Sequence, residues 1–238
     1  MPTPWIIAHR GDVQVAPENT LAAVAAALDA GADGIELDLH RTADGAVVVH
    51  HDPIPRALPT DTRLAGRPFT DLTMDEVRTF RVEGRHPIPT LPEVLALVAD
   101  RAVLYCELKG SGVVEAAAPI LRAYRGRSAM HAFDHRAVLR ASELAPTIPR
   151  GVLLVSRLVD PVAAMRAARA TTLWPFADTV DAQLVAQVVD AQCALIPWTV
   201  NDLERASELA ALGVTGICTD HPAAVRRALD PTNRPRGA

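Results

Sequence analysis

The sequence predicts a (β/α)₈ barrel, the TIM-barrel fold, with a small insertion after the second strand. Three observations carry this. Apolar runs of strand length alternate with helical segments eight times along the chain. At 238 residues and 49% hydrophobic content, one closed barrel has enough apolar material to fill its core. Finally, polar residues recur where the strands end, the edge on which barrels of this type place their chemistry. Alternating β and α units imply a parallel sheet, and eight of them fit a closed barrel. An open doubly wound sheet is the alternative, but no GxGxxG opens a helix to support it. We read residues 1–238 as a single domain with an insertion over 52–89.

The first strand is the run 5–9, ending in His9-Arg10-Gly11. An Ala-rich helix over 19–30 follows, with Asn19-Thr20 offering a cap and Gly31 a stop. Strand two is 34–39. Asp44-Gly45 then signals a tight turn into 46–49, so a hairpin arm extends from strand two to His51-Asp52. From 52 to 89 periodicity fades and prolines cluster at 53, 55, 59, 68, 87 and 89, with a short helical piece near 71–80. So long a connection in a compact domain reads as a functional insertion. Alternation then resumes: strands over 102–109, 129–133, 150–155, 171–176, 193–200 and 214–219, interleaved with helices over 91–99, 112–123, 135–144, 160–169, 181–190, 201–211 and 222–229. Residues 230–238, Arg- and Pro-containing, read as a disordered end.

The net charge of −4 and pI near 6.1 argue against nucleic acid as a partner. Cys106, Cys193 and Cys218 show no CxxC or CxxH spacing, which suits free thiols in a reducing compartment and disfavours zinc. No stretch approaches 18 apolar residues, and the N-terminus lacks the apolar core of a signal peptide. The expectation is a soluble, cytoplasmic protein with no integral membrane segment.

In strand two, side chains alternate between faces, so Glu36 and Asp38 share one face. Glu107 and Lys109 share parity in strand three. Three carboxylates converging on one axial site, with no thiolate near, describe a hard divalent cation, Mg²⁺ or Ca²⁺ more than zinc. Arg10 and Lys109 add positive charge that suits an anionic ligand such as phosphate. Lys109 is the chain's only lysine. His9 and His51 are placed to move protons near neutral pH, and Trp198 stands on strand seven before Asn201.

The chain resembles the glycerophosphodiester phosphodiesterase family. The motifs that carry the resemblance are His9-Arg10-Gly11, Pro17-Glu18-Asn19-Thr20, Glu36-x-Asp38, His51-Asp52, Pro89-Thr90-Leu91, Glu107-x-Lys109, Trp198-Thr199-Val200-Asn201 and Thr219-Asp220-x-Pro222, in order over residues 9–222. The resemblance implies a divalent metal on Glu36, Asp38 and Glu107, an acid/base pair in His9 and His51, and hydrolysis of a small-molecule glycerophosphodiester to sn-glycerol 3-phosphate and an alcohol by attack of the glycerol 2-hydroxyl. There are departures. His131-Ala132-Phe133 replaces a common Ser-Phe at the end of strand four, and Trp174-Pro175-Phe176 stands where a smaller polar residue is usual. An Arg-Thr-Thr run after the His-Asp pair is missing. These bear on the alcohol more than on the reaction, and they bring Phe133 beside the substrate.

Rival readings are a lysophospholipase D-like or cyclising phospholipase on the same scaffold, a Schiff-base aldolase using Lys109, and a noncatalytic phosphate-binding barrel. His50 is expected to point away from the site. His40, His86, His135 and His221 are read as surface or capping residues, His131 and Trp174 as either site lining or core, and the Arg-bearing face of the helix near Met165 as solvated.

Overall fold

The computed structural model describes residues 3–230. In chain order, the elements are β1 (Trp5–His9), α1 (Leu21–Asp29), β2 (Gly34–Arg41) and β3 (Val47–Val49), then β4 (Leu58–Pro59), α2 (Met74–Val77), β5 (Phe80–Val82), β6 (His86–Pro87) and α3 (Leu91–Val98). There follow β7 (Val103–Leu108), α4 (Val113–Ala123), β8 (Ser128–Ala132), α5 (His135–Leu144), β9 (Arg150–Leu154), α6 (Pro161–Ala167) and β10 (Thr172–Pro175). The chain closes with α7 (Ala182–Asp190), β11 (Ala194–Leu195), α8 (Leu203–Leu212), β12 (Gly216–Thr219) and α9 (Pro222–Leu229).

Eight strands pair in parallel in the order β11-β10-β9-β8-β7-β2-β1-β12, with helices between them, giving a nearly closed barrel. The seam between β11 and β12 is bridged by backbone bonds: Thr215 N–H to Leu195 O, Cys218 N–H to Pro197 O and Val200 N–H to Cys218 O, at 2.8–3.0 Å. The alternation predicts a strand over 193–200, yet regular pairing stops at Leu195. Prolines on both sides of the ladder are the reason: Pro175 on β10 and Pro197 have no N–H to give, although Ile196 and Trp198 still donate to Leu173 O and Pro175 O. The tail expected to be disordered lies, from residue 231, outside the described residues.

Five βα loops end in side chains that cap the next helix. Thr20, Asp134, Asp160, Asp181 and Asp202 each accept a backbone N–H two or three residues on. The barrel interior is filled by aromatics where its wall is glycine. A Cβ on Gly34 would lie 2.6 Å from the Tyr105 ring, and one on Gly151 would lie 2.7 Å from Trp174. Trp174, 1% exposed, packs in the barrel interior and also borders the rim cavity, its ring stacked at 4.5 Å on His131.

The insertion has its own architecture. β4, β5 and β6 form a small antiparallel sheet, and Phe69, Leu72, Val77, Phe80 and Ile88 pack on Val48 of the hairpin arm as a separate apolar cluster. Two- and three-residue strands are too short to leave an alternating pattern, so the sequence shows only the short helix, which shrinks to α2 preceded by a 3₁₀ turn over Phe69–Asp71.

Between β1 and α1 the chain makes a tight loop that aims Arg10. Arg10 itself has φ +59°, and it is held by its N–H to Glu36 O (2.8 Å) and its carbonyl to Asn19 N–H (2.9 Å). Gly11 follows with φ +90°, its Cα so close to α1 that a Cβ would sit 2.6 Å from the Ala23 backbone. Gly11→Ala adds a left-handed strain and a backbone clash together, so we expect a loss of about 2 kcal/mol or more of stability in urea unfolding. An unchanged midpoint would contradict this packing.

Candidate active site

At the C-terminal rim a cavity of about 150 Å³ is lined by His9, Arg10, Glu36, His51, Glu107 and Lys109 on one side and by Phe133, Trp198 and His131 on another. Eight of the nine residues singled out from sequence thus meet in one place. The ninth, Asp38, lies just behind the wall and is 1% exposed. Arg10 Nε stands 3.2 Å and Lys109 Nζ 3.0 Å from its two oxygens, and Asn19 Nδ2 donates to it at 2.8 Å.

Strand register explains the convergence. In β2 and β7 Asp38 stands opposite Glu107, and in β7 and β8 Glu107 stands opposite His131, so the three lie side by side on neighbouring strands. Glu36 and Glu107 are nearly buried, and they share a cluster with His131 in which each offers one donor atom within 4.8 Å of the others. Among the described residues, Glu36 Oε2 and His131 Nδ1 have no hydrogen-bond partner. A buried carboxylate oxygen without a partner is costly, and a cation would relieve that cost. The donor set of carboxylates and an imidazole therefore fits a divalent cation. The structure adds His131 to the residues that could hold it, a role the sequence left between site and core. Only the register of β8 on β7 sets it opposite Glu107, which the sequence does not show.

Protonation follows from the same packing. Burial alone would raise the pKa of Asp38, but the charges of Lys109 and Arg10, with the Asn19 bond, hold it down at about 2. Glu107 is pushed up to about 8 by burial and by the charge of Asp38, against the pull of Lys109 at 3.5 Å. Without a cation, one proton is therefore retained among these acids.

The two histidines at the cavity are held alike. His9 Nδ1 lies 2.7 Å from Asp220 Oδ1, and His51 Nδ1 lies 2.7 Å from Asp52 Oδ1. An ionised carboxylate only accepts, so each Nδ1 carries hydrogen and each Nε2 is left for chemistry. Burial works against charge on His9, but the Asp220 bond and the Glu36 charge outweigh it and raise its pKa. Asn201 donates to Asp220 at 2.7 Å, fixing this second tier. Asp220 and Asn201 stand in the motif series, but no role for either followed from sequence alone.

One expectation changes. His40 is no surface residue: it is 7% exposed, packs on Phe69, and its Nε2 lies 3.1 Å from the carbonyl of His51. An apolar neighbour from the insertion, invisible as a contact in sequence, encloses it. His50 also packs against Phe69, and its Nε2 accepts the Arg56 N–H, away from the cavity. Trp198 donates Nε1–H to the Trp174 carbonyl, with Phe133 and Phe176 edge-on to it at 5.4 and 5.9 Å.

Fold and rim together define a class, a phosphoric diester hydrolase on a (β/α)₈ barrel, and comparison with known proteins makes it particular. The chain belongs to the Glycerophosphoryl diester phosphodiesterase family, whose model matches residues 9–224. A glycerophosphodiester phosphodiesterase of Caldanaerobacter subterraneus subsp. tengcongensis is 33% identical over 91% of this chain and 94% of that relative. One of Bacillus altitudinis is 32% identical over 91% and 94%. A structure from Silicibacter pomeroyi with the same family's description superposes with a TM-score of 0.85 at 30% identity, covering 96% of this chain and 94% of that one. A phosphodiesterase of Oleispira antarctica, solved with the product sn-glycerol-3-phosphate, superposes at 0.87 with 24% identity over 96% and 97%. No helix among the described residues is long and apolar enough to cross a membrane.

The Glu107 shift has a sign that can be tested. A carboxyl whose folded pKa lies above its unfolded value near 4.5 stabilises the fold below that value, and the stability is lost as pH rises through about 8. In chelator, the thermal midpoint should fall from pH 5 to pH 8, and Glu107→Gln should flatten the fall. Equal slopes in both proteins would contradict the shift.

Proposed function

We propose that this chain hydrolyses a glycerophosphodiester to sn-glycerol 3-phosphate and an alcohol, using one divalent cation, Mg²⁺ or Ca²⁺. The observation that carries the reading is the pair of imidazoles, each backed by an aspartate on Nδ1, that face one cavity with buried acids, Arg10 and Lys109. Glu36, Asp38 and Glu107 would hold the cation, with His131 beside them. When bound, the cation supplies Lewis-acid stabilisation of charge on phosphate and lowers the pKa of a coordinated hydroxyl.

The chain's own groups do the rest. Arg10 and Lys109 hold the phosphate oxygens, and Trp198 and Phe133 give the glycerol carbons an apolar wall. One histidine Nε2 takes the proton of the glycerol 2-hydroxyl as it attacks phosphorus, and the other protonates the departing alcohol oxygen. Water then opens the cyclic phosphate with the two roles reversed. Oriented intramolecular attack reaches effective molarities of roughly 10⁵–10⁸ M, against about 10²–10⁴-fold for a placed acid or base, so positioning outweighs the histidines.

Exposed Phe133 and Phe176 beside Trp198 support a second reading, in which the substrate is a lysophospholipid whose chain lies on those rings. Rates on lysophosphatidylcholine and glycerophosphocholine, followed by choline release, separate the two.

His9→Ala and His51→Ala should each lower kcat for sn-glycerol 3-phosphate release by about 10²-fold or more while the folded protein still binds the cation. A rate within twofold of the parent for either variant would remove that residue from the mechanism.

A further inference from the structure

The phosphate cavity opens on one flank into a second space, a groove of about 400 Å³ that shares His51 and Lys109 with it. The two differ in character. The inner cavity, at about 150 Å³, is far smaller than the roughly 300–1,000 Å³ of sites that take drug-sized ligands, and it suits the phosphate and its three-carbon polyol. The groove runs between the insertion, at Pro53 and Pro68–Thr70, and the turn Gly110-Ser111 that follows Lys109. It is the larger of the two spaces that meet at His51.

Charge in the groove is unbalanced. Lys109 is paired with Asp38 and Glu107, and Asp52 is held by His51 and Arg56. That leaves Arg41, at the end of β2. Its Nε donates to the Thr42 carbonyl at 3.2 Å, and among the described residues its terminal nitrogens have neither a hydrogen bond nor an ion pair. They lie under the glycine turn, where Nη1 is 3.0 Å from the position a Cβ on Gly112 would take. A half-buried guanidinium with two unpartnered nitrogens recognises an oxyanion, and it disfavours a cationic group. Phe69, the groove's aromatic, is 1% exposed and packed between His40 and His50, so it offers no open ring face to a quaternary ammonium.

Resting on the phosphodiesterase reading, we propose that this groove seats the departing alcohol and that Arg41 selects an alcohol carrying a second anionic group, such as a phosphorylated polyol. Arg41 touches the alcohol's anion and not the reacting atoms, so it sets specificity without entering the acid/base chemistry.

The test compares kcat/KM for glycerophosphoinositol 4-phosphate, glycerophosphoglycerol and glycerophosphocholine on the full chain with its cation. The parent should favour the first over the last by about tenfold, the size of one charged hydrogen bond. Arg41→Gln should remove that preference by lowering the first value about tenfold while changing glycerophosphocholine less than about twofold, and Arg41→Lys should keep most of it. Inositol 1,4-bisphosphate should inhibit hydrolysis of glycerophosphoglycerol by the parent more strongly than by Arg41→Gln. Equal losses on all three substrates, or a parent preference for glycerophosphocholine unaltered by Arg41→Gln, would overturn the groove assignment alone. Absence of turnover on all three would overturn the phosphodiesterase reading and this inference with it.

Discussion

The buried charge on Asp38 is the constraint around which the rim is arranged. A carboxylate 1% exposed persists only with partners, and it has two cations and an amide. Arg10 comes from the loop after β1, Lys109 from the end of β7 and Asn19 from the start of α1. Holding them in reach fixes the β1–α1 loop in its left-handed turn and ties three βα units at one point. Burial and the charge of the same carboxylate raise the pKa of Glu107, which makes the neighbouring acids a place for positive charge. Stability and function are coupled here because breaking such a pair leaves a buried charge unmatched, at a cost of about 3–5 kcal/mol.

Around that centre the fold places proton-transfer groups with their own supports. Asp220 and Asn201 behind His9, and Asp52 behind His51, come from β12, the end of strand seven and the hairpin arm. The insertion reaches the site indirectly. Phe69 packs on His40, and His40 bonds the His51 carbonyl, so the apolar cluster of the insertion steadies the arm that carries His51.

The barrel was legible because its eight units are regular, and the acid pairs because strand parity places Glu36 with Asp38 and Glu107 with Lys109. What stayed hidden depends on register between strands and on contacts far apart in sequence. His131 joins the acids only once β8 is set beside β7, and Asp220 meets His9 across 211 residues. His40 reads as a polar surface residue until Phe69 is folded over it. The insertion's strands are too short for periodicity to mark. Two prolines, Pro175 on β10 and Pro197 beyond β11, interrupt the ladder that the apolar run implied.

The central claim is that the buried acids hold a cation on which phosphodiester cleavage depends. Its most direct measurement is release of sn-glycerol 3-phosphate from glycerophosphodiesters by protein stripped with a chelator, before and after adding Mg²⁺ or Ca²⁺. The account predicts a rate at background in the stripped protein and recovery on adding one of the two ions. Full activity in excess chelator would contradict it.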